Sequence, residues 1–225
     1  MAKNKLQKFE DVDRFPNVFE YTDFDNGASK PKGTWHKNIF KNNNPIVLEL
    51  ACGKGEYTVN LARQNPDKNF IGIDKKGWRI WTGAKQALRE PLLNVHFMRI
   101  YIDHLAEYFE EGEVDEIWIT FPDPYLRDSK SSKRLTSPKF LSIYRKILSP
   151  NATVHLKTDS DELYNFTLET TTEENCEIAE CVDNVYDERP DDPVLSIKTY
   201  YEKMHLKEGK TIRYISFRLN STGKI

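Results

Sequence analysis

The sequence predicts an α/β protein: a doubly wound, mainly parallel sheet of about seven strands. Three observations predict it. Short apolar runs bounded by small or turn residues recur from Pro45 onward, as the buried strands of a parallel sheet do. Stretches with one-face helical spacing lie between them. The alternation of the two types at this spacing is the pattern of strand-helix-strand crossovers.

Each element has its own signal. Residues 1–30 are polar, with scattered aromatics and no clear period; they read as a loosely ordered N-terminal arm. Residues 31–225 read as one domain, without repeat, low-complexity tract or linker. Ile46-Val47-Leu48-Glu49-Leu50 is a buried strand, Gly53-Lys54-Gly55 a turn, and residues 56–64 a helix ended by Asn65-Pro66. Asn69 to Ile73 is a second strand, closed by Asp74, and a helix follows from about Gly77 to Glu90. Val95 to Ile100 and Asp115 to Thr120 are further strands, the latter running into the segment FPDPY at 121–125. After a polar basic loop, Ser137 is a good N-cap with Pro138 at the first helical position. Thr153 to Lys157 is the next strand, and Asp159 with Glu162 has the spacing of a capping box. Ile215, Phe217 and Leu219 alternate with polar residues, as in a half-buried strand.

Composition narrows the class. The chain has 225 residues, 38% hydrophobic and 30% charged, which suits a globular protein rather than a disordered one. The charged N-terminus is no secretory signal, and no apolar run approaches the length of a membrane span. Three cysteines, Cys52, Cys176 and Cys181, lack paired spacing and suggest reduced thiols in the cytoplasm. The net charge of -2 argues against a globally basic nucleic-acid binder. Its distribution leaves room for one, because Arg127, Lys130, Lys133, Arg134, Lys139, Arg145 and Lys146 crowd one segment with a single acid, Asp128. A solvated helix surface explains the same charges. The histidines show no metal-ligand spacing, so no metal is expected.

Chemistry concentrates at two loops. Glu49 ends the first strand before Gly53 and Gly55, and Asp74 ends the second. Glycines at such a turn let backbone approach a ligand. A dinucleotide fingerprint would want a third glycine where Thr58 stands, and Glu49 would repel a pyrophosphate. An acid there suits a ligand carrying cationic groups, and Asp74 is placed to accept from ribose hydroxyls. A glycine turn of an unrelated α/β protein remains the plain alternative. Cys52 has no base partner and reads as a packing residue. At the second loop, Asp123 sits between Pro122 and Pro124, which stiffen its backbone. A rigid carboxylate at the ligand edge of the sheet can accept the two Watson-Crick N–H groups of a guanine; a turn-capping aspartate is the alternative.

These loops resemble known motifs. The acidic strand end, the G-x-G turn and the second acid resemble motif I of class I S-adenosylmethionine-dependent methyltransferases. FPDP followed by a basic loop and KRL resembles the signature of the tRNA (guanine-N7-)-methyltransferase family. KGTWHKNIFKNNNPIVLEL (32–50), LKTDSDELY (156–164) and TYYEKMHLKEGKTIRYISF (199–217) resemble three further motifs of that family, so the likeness reaches from about Lys30 to Leu219.

The resemblance implies a Rossmann-like methyltransferase fold, S-adenosylmethionine as cofactor and tRNA as partner, in a cytoplasmic monomer or homodimer. It implies methyl transfer to N7 of a guanine, in the variable loop by family habit. Asp123 is the implied catalytic residue. Glu49, Gly53, Gly55, Asp74, Tyr101 and Asp123 are implied at the cofactor. Arg127, Asp159, Thr199, Tyr200, Tyr201 and Glu202 are implied at the substrate, and Lys130, Lys133 and Arg134 on the tRNA backbone. The chain departs from the family in places. Tyr125 stands where a tryptophan is usual and Arg127 where a lysine is usual. The basic run is thinned by Ser129, Ser131 and Ser132, and Tyr101 stands where an acid is usual, with Asp103 two positions on. Methylation of another RNA base and a non-catalytic RNA-binding module are the rival readings.

Overall fold

The computed structural model describes residues 2–220. In chain order its elements begin with helix α1 (Ala2–Val12), strand β1 (Val18–Glu20), the short helix α2 (Tyr21–Asp25) and a π-helical turn at Trp35–Phe40. Next come β2 (Ile46–Leu50), α3 (Glu56–Gln64), β3 (Asn69–Ile73), α4 (Gly77–Arg89), β4 (Val95–Arg99) and the short α5 (Leu105–Tyr108). Strand β5 (Val114–Thr120) leads through a 3-10 turn at Asp128–Lys133 to α6 (Pro138–Tyr144) and β6 (Leu148–Thr158). The chain then forms α7 (Asp161–Glu173), β7 (Glu177–Val182), α8 (Val185–Glu188), α9 (Tyr200–Lys207) and β8 (Arg213–Arg218).

The strands form one eight-stranded sheet in the order β1-β4-β3-β2-β5-β6-β8-β7. Neighbours from β1 to β6 pair in parallel, and β8 runs antiparallel to both β6 and β7. Two apolar clusters cover the faces, one around Trp35, Leu48, Ile119 and Phe217, the other around Tyr57, Phe97 and Trp118. β2, β3 and most of β5 are buried on both faces, which is why they read as mostly apolar runs rather than alternating ones. The chain winds outward in one direction through β3 and β4, then returns beside β2 to start β5. The C-terminal ends of β2 and β5 therefore flank the point where winding reverses, the usual ligand crevice of such sheets.

The mainly parallel α/β fold stands as expected, with eight strands instead of about seven. The N-terminal segment differs from the loose arm expected of it. α1 packs on α4, where Trp81 Nε1 donates to Asp11 Oδ2 at 2.8 Å and Val12 is buried. β1 extends the sheet, and Arg99 pairs with the buried Glu20. Three residues are too few for a strand period to show in sequence. The cap of α7 also shifts by one: Ser160, not Asp159, accepts from Leu163 N at 3.2 Å. Asp159 does not cap the helix and lines the cleft described below.

Candidate active site

The turn after β2 is built by two different glycines. Ala51, Gly53 and Gly55 all have positive φ, at 57°, 57° and 68°. A Cβ on Gly55 would lie 2.5 Å from Phe97 Cε1, so glycine there is demanded by the packing of α3 over β4. A Cβ on Gly53 would meet nothing nearer than Ala51 O at 3.9 Å. Gly53 thus presents open backbone, and its N–H donates to Asp74 Oδ2 at 3.1 Å. Asp74 Oδ1 accepts from Lys76 N at 2.8 Å, and burial raises its carboxyl above the usual range despite these bonds.

Glu49 lies behind this turn. Its Oε2 accepts from Thr58 N at 2.8 Å and from Thr58 Oγ1, and its Oε1 from Thr120 Oγ1 at 2.8 Å. It is 3% exposed and does not line the cleft. Burial pushes its carboxyl up to about 7, against the opposing hydrogen bonds. Glu49 ties the ends of β2 and β5 to the first turn of α3, a bracing role that its place in the motif did not foretell. Cys52 is buried beside it, as a packing residue.

The FPDPY loop turns sharply at both ends. Phe121 and Tyr125 have φ of 48° and 43°, conformations that cost non-glycine residues on the order of 1–3 kcal/mol each. Phe121 N donates to Lys157 O at 2.9 Å, and Tyr125 N donates to Asp123 Oδ1 at 3.2 Å. Asp123 is otherwise exposed at the mouth of a cleft of about 1050 Å3. Asp74, Tyr101, Asp103, Tyr125, Lys133, Asp159 and Tyr201 line the same cleft. Asp159 Oδ2 accepts from Lys210 Nζ at 2.7 Å and lies 3.3 Å from His205 Nδ1. Tyr101 and Asp103 both reach the cleft, but Asp103 is paired with Lys139. The structure thus brings together residues 49 positions apart on one side (Asp74 and Asp123) and 36 on the other (Asp123 and Asp159).

Several expected site residues sit elsewhere. Thr199 and Glu202 form the capping box of α9, with Glu202 N donating to Thr199 Oγ1 at 3.2 Å. Glu202 is fully buried, 2.6 Å from the equally buried Lys157 Nζ, and accepts from Tyr186 OH at 2.7 Å. Neither Thr199 nor Glu202 is among the residues lining the cleft; in this structure both hold the start of α9. Tyr200 also lies outside it, with its ring under Lys54 Nζ at 3.6 Å. Arg127 and Lys130 are exposed beside the cleft rather than in its lining, whereas Lys133 lines it. Arg134, expected on the tRNA backbone, is 6% exposed and bonded to the FPDPY loop.

Other lining residues were not expected at the site: Lys75, Lys76, Arg79, His205 and Lys210, with Lys139, noted only as part of the basic segment. His205 had a usable signal, because it lies four residues after Tyr201 on α9 and so shares its face. Lys210 comes from a loop with no period to read. Among the described residues no cluster of three or more His, Cys, Asp or Glu could hold a metal ion, and no helix is long and apolar enough to cross a membrane.

Comparisons with known proteins agree with this architecture. A family model described as a putative methyltransferase matches residues 43–214. The tRNA (guanine-N(7)-)-methyltransferase of Bacteroides fragilis is 48% identical over 227 residues, covering 100% of this chain and 89% of the relative. That of Christiangramia forsetii is 46% identical, covering 97% of this chain and 99% of the relative. Among solved structures, the 16S rRNA methyltransferase KamB superposes with a TM-score of 0.64 at 15% identity, covering 84% of this chain and 94% of that one. A geranyl diphosphate C-methyltransferase from Streptomyces coelicolor gives 0.54 at 14% identity, covering 78% and 74%. These structural likenesses speak for the fold; the two sequence relatives speak for the family. This chain belongs to the tRNA (guanine-N(7)-)-methyltransferase family.

Proposed function

We propose that this protein transfers a methyl group from S-adenosylmethionine to N7 of a guanine in tRNA, in the cytoplasm, with Asp123 at the reacting centre. The observation that carries the reading is the convergence of Asp74, Asp123 and Asp159 on one cleft at the winding reversal of the sheet. The residues suit the cofactor. Asp74 offers a carboxylate for ribose hydroxyls, and the open face of Gly53 leaves room for close backbone approach. When bound, S-adenosylmethionine supplies a methyl carbon already activated by its sulfonium.

Guanine N7 carries a lone pair and no proton, so this chain needs no base to expose it. Its residues have two tasks: holding the base in line, and meeting the positive charge that grows on the base as N7 is alkylated. Asp123 and Asp159 are the carboxylates at hand. In bulk water a carboxylate 4 Å from a unit charge is worth about 1 kcal/mol, rising to about 4 at the lower dielectric of a covered site. Asp123 is exposed in the free protein, so its contribution depends on the tRNA covering the cleft. Tyr125 and Tyr201 line the cleft as stacking partners for an exposed or extruded guanine. Lys130 and Lys133 sit beside the mouth for phosphates.

Asp123→Asn keeps the shape and removes the charge. The expected result is loss of most turnover in a variant that still binds S-adenosylmethionine by calorimetry. Near-normal turnover in this variant would remove Asp123 from the mechanism.

A further inference from the structure

Arg134 belongs by sequence to the basic run, but its setting is internal. It is 6% exposed and its guanidinium lies 4.4 Å from the Phe166 ring of α7. Nε donates to Pro124 O and Nη2 to Tyr125 O, each at 3.1 Å. Its side-chain partners among the described residues are those two carbonyls and the Phe166 ring. A phosphate contact needs a guanidinium free in solvent, and this one is folded inward. A buried cation on neutral partners alone is costly to keep, so its partners show what it is kept for.

Those partners are the two carbonyls that follow Asp123. The loop needs outside support, because Pro122 and Pro124 carry no N–H and cannot join a backbone ladder. Its two ends are also held at positive φ, at Phe121 and Tyr125. The planar guanidinium fork fixes two successive carbonyls at once, which a lysine ammonium does not. We infer that Arg134 is a positioning residue, clamping the Pro124–Tyr125 backbone so that Asp123 stands at the cleft mouth, and is not a tRNA phosphate ligand. The inference rests on the reading of Asp123 as the reacting-centre carboxylate.

The test measures kcat and KM for tRNA per cofactor-binding site, and the salt dependence of tRNA affinity, for Arg134→Ala and Arg134→Lys, with Lys130→Ala and Asp123→Asn alongside. A loop displaced by about 1 Å costs on the order of 100-fold in turnover. Arg134→Ala is expected to lose about that in kcat, with KM for tRNA and the salt slope unchanged. Arg134→Lys, able to reach one carbonyl, should fall between, and carries the same comparison if the alanine variant does not fold. A normal kcat with raised KM and a salt slope reduced by about one would make Arg134 a phosphate contact and overturn the inference. A lower melting temperature with normal kcat per site would overturn it too, reducing Arg134 to a packing residue. Normal turnover in Asp123→Asn would instead sink the reading of Asp123 itself, so the two failures are distinguishable.

Discussion

Replacing Glu202 by alanine tests the structural assignment of the Thr-x-x-Glu motif. Glu202 and Lys157 are both fully buried and 2.6 Å apart. Burial lowers the Lys157 ammonium below its ordinary range, and Glu202 is the main opposing influence. The alanine variant leaves Lys157 Nζ with only the carbonyls of Leu195 and Ile197, and leaves Tyr186 OH without its acceptor. Breaking one side of a buried pair costs about 3–5 kcal/mol. That is a large share of the roughly 5–15 kcal/mol that holds a typical domain together. For a chain of this length each kcal/mol moves the melting temperature by about 2–4 °C, so a drop of roughly 6–20 °C is expected. Thermal and urea unfolding read it directly. The double variant Lys157→Met/Glu202→Leu should recover part of the loss, since an apolar pair of similar volume avoids the stranded charge. A drop below about 2 °C, corresponding to less than about 1 kcal/mol, together with lost tRNA binding would refute this reasoning and return Glu202 to the substrate pocket.

Two further expectations concern the cofactor turn and the basic loop. Glu49 titrates at about 7 in the folded protein against 4.5 ordinarily, so the native state holds its proton more tightly than the unfolded chain. The contribution of Glu49 to stability is therefore full below about pH 4.5 and is lost as pH rises through 7, by on the order of 3 kcal/mol. Glu49→Gln has no such charge: its oxygen can still accept from Thr58 and its amide donate to Thr120 Oγ1. The variant should melt higher than wild type at pH 8 and similarly at pH 4.5; parallel curves would contradict the burial argument. For the basic loop, Lys130→Ala and Lys133→Ala should each reduce the salt slope of tRNA binding by about one. An unchanged slope in both would place the phosphates elsewhere.

Sequence periodicity carried the central sheet well. β2 and β3 are mostly apolar and buried on both faces, and their limits, Ile46–Leu50 and Asn69–Ile73, are those read from the sequence. β1 and β7 escaped for physical reasons. β1 has three residues, and β7 exposes most of its side chains, so neither carries a core period. At the site, strand-end position pointed to Asp74 and the Pro-Asp-Pro turn after β5 to Asp123, whereas Asp159 came from the motif likeness, its spacing alone reading as a helix cap. Motif likeness could not tell a side chain in the cleft from one behind it. Glu49, Arg134 and Glu202 share motifs with cleft residues, yet each is turned inward to brace the backbone that presents them. Which way a polar side chain faces depends on the register of elements distant in sequence. Arg134 reaches Phe166, and Glu202 reaches Lys157.

The most direct test of the central claim is methyl transfer from labelled S-adenosylmethionine to unmodified tRNA transcripts by the purified protein, followed by nucleoside digestion and mass spectrometry. Formation of 7-methylguanosine is the predicted result. A different methylated nucleoside, or no product while S-adenosylmethionine still binds, would contradict it.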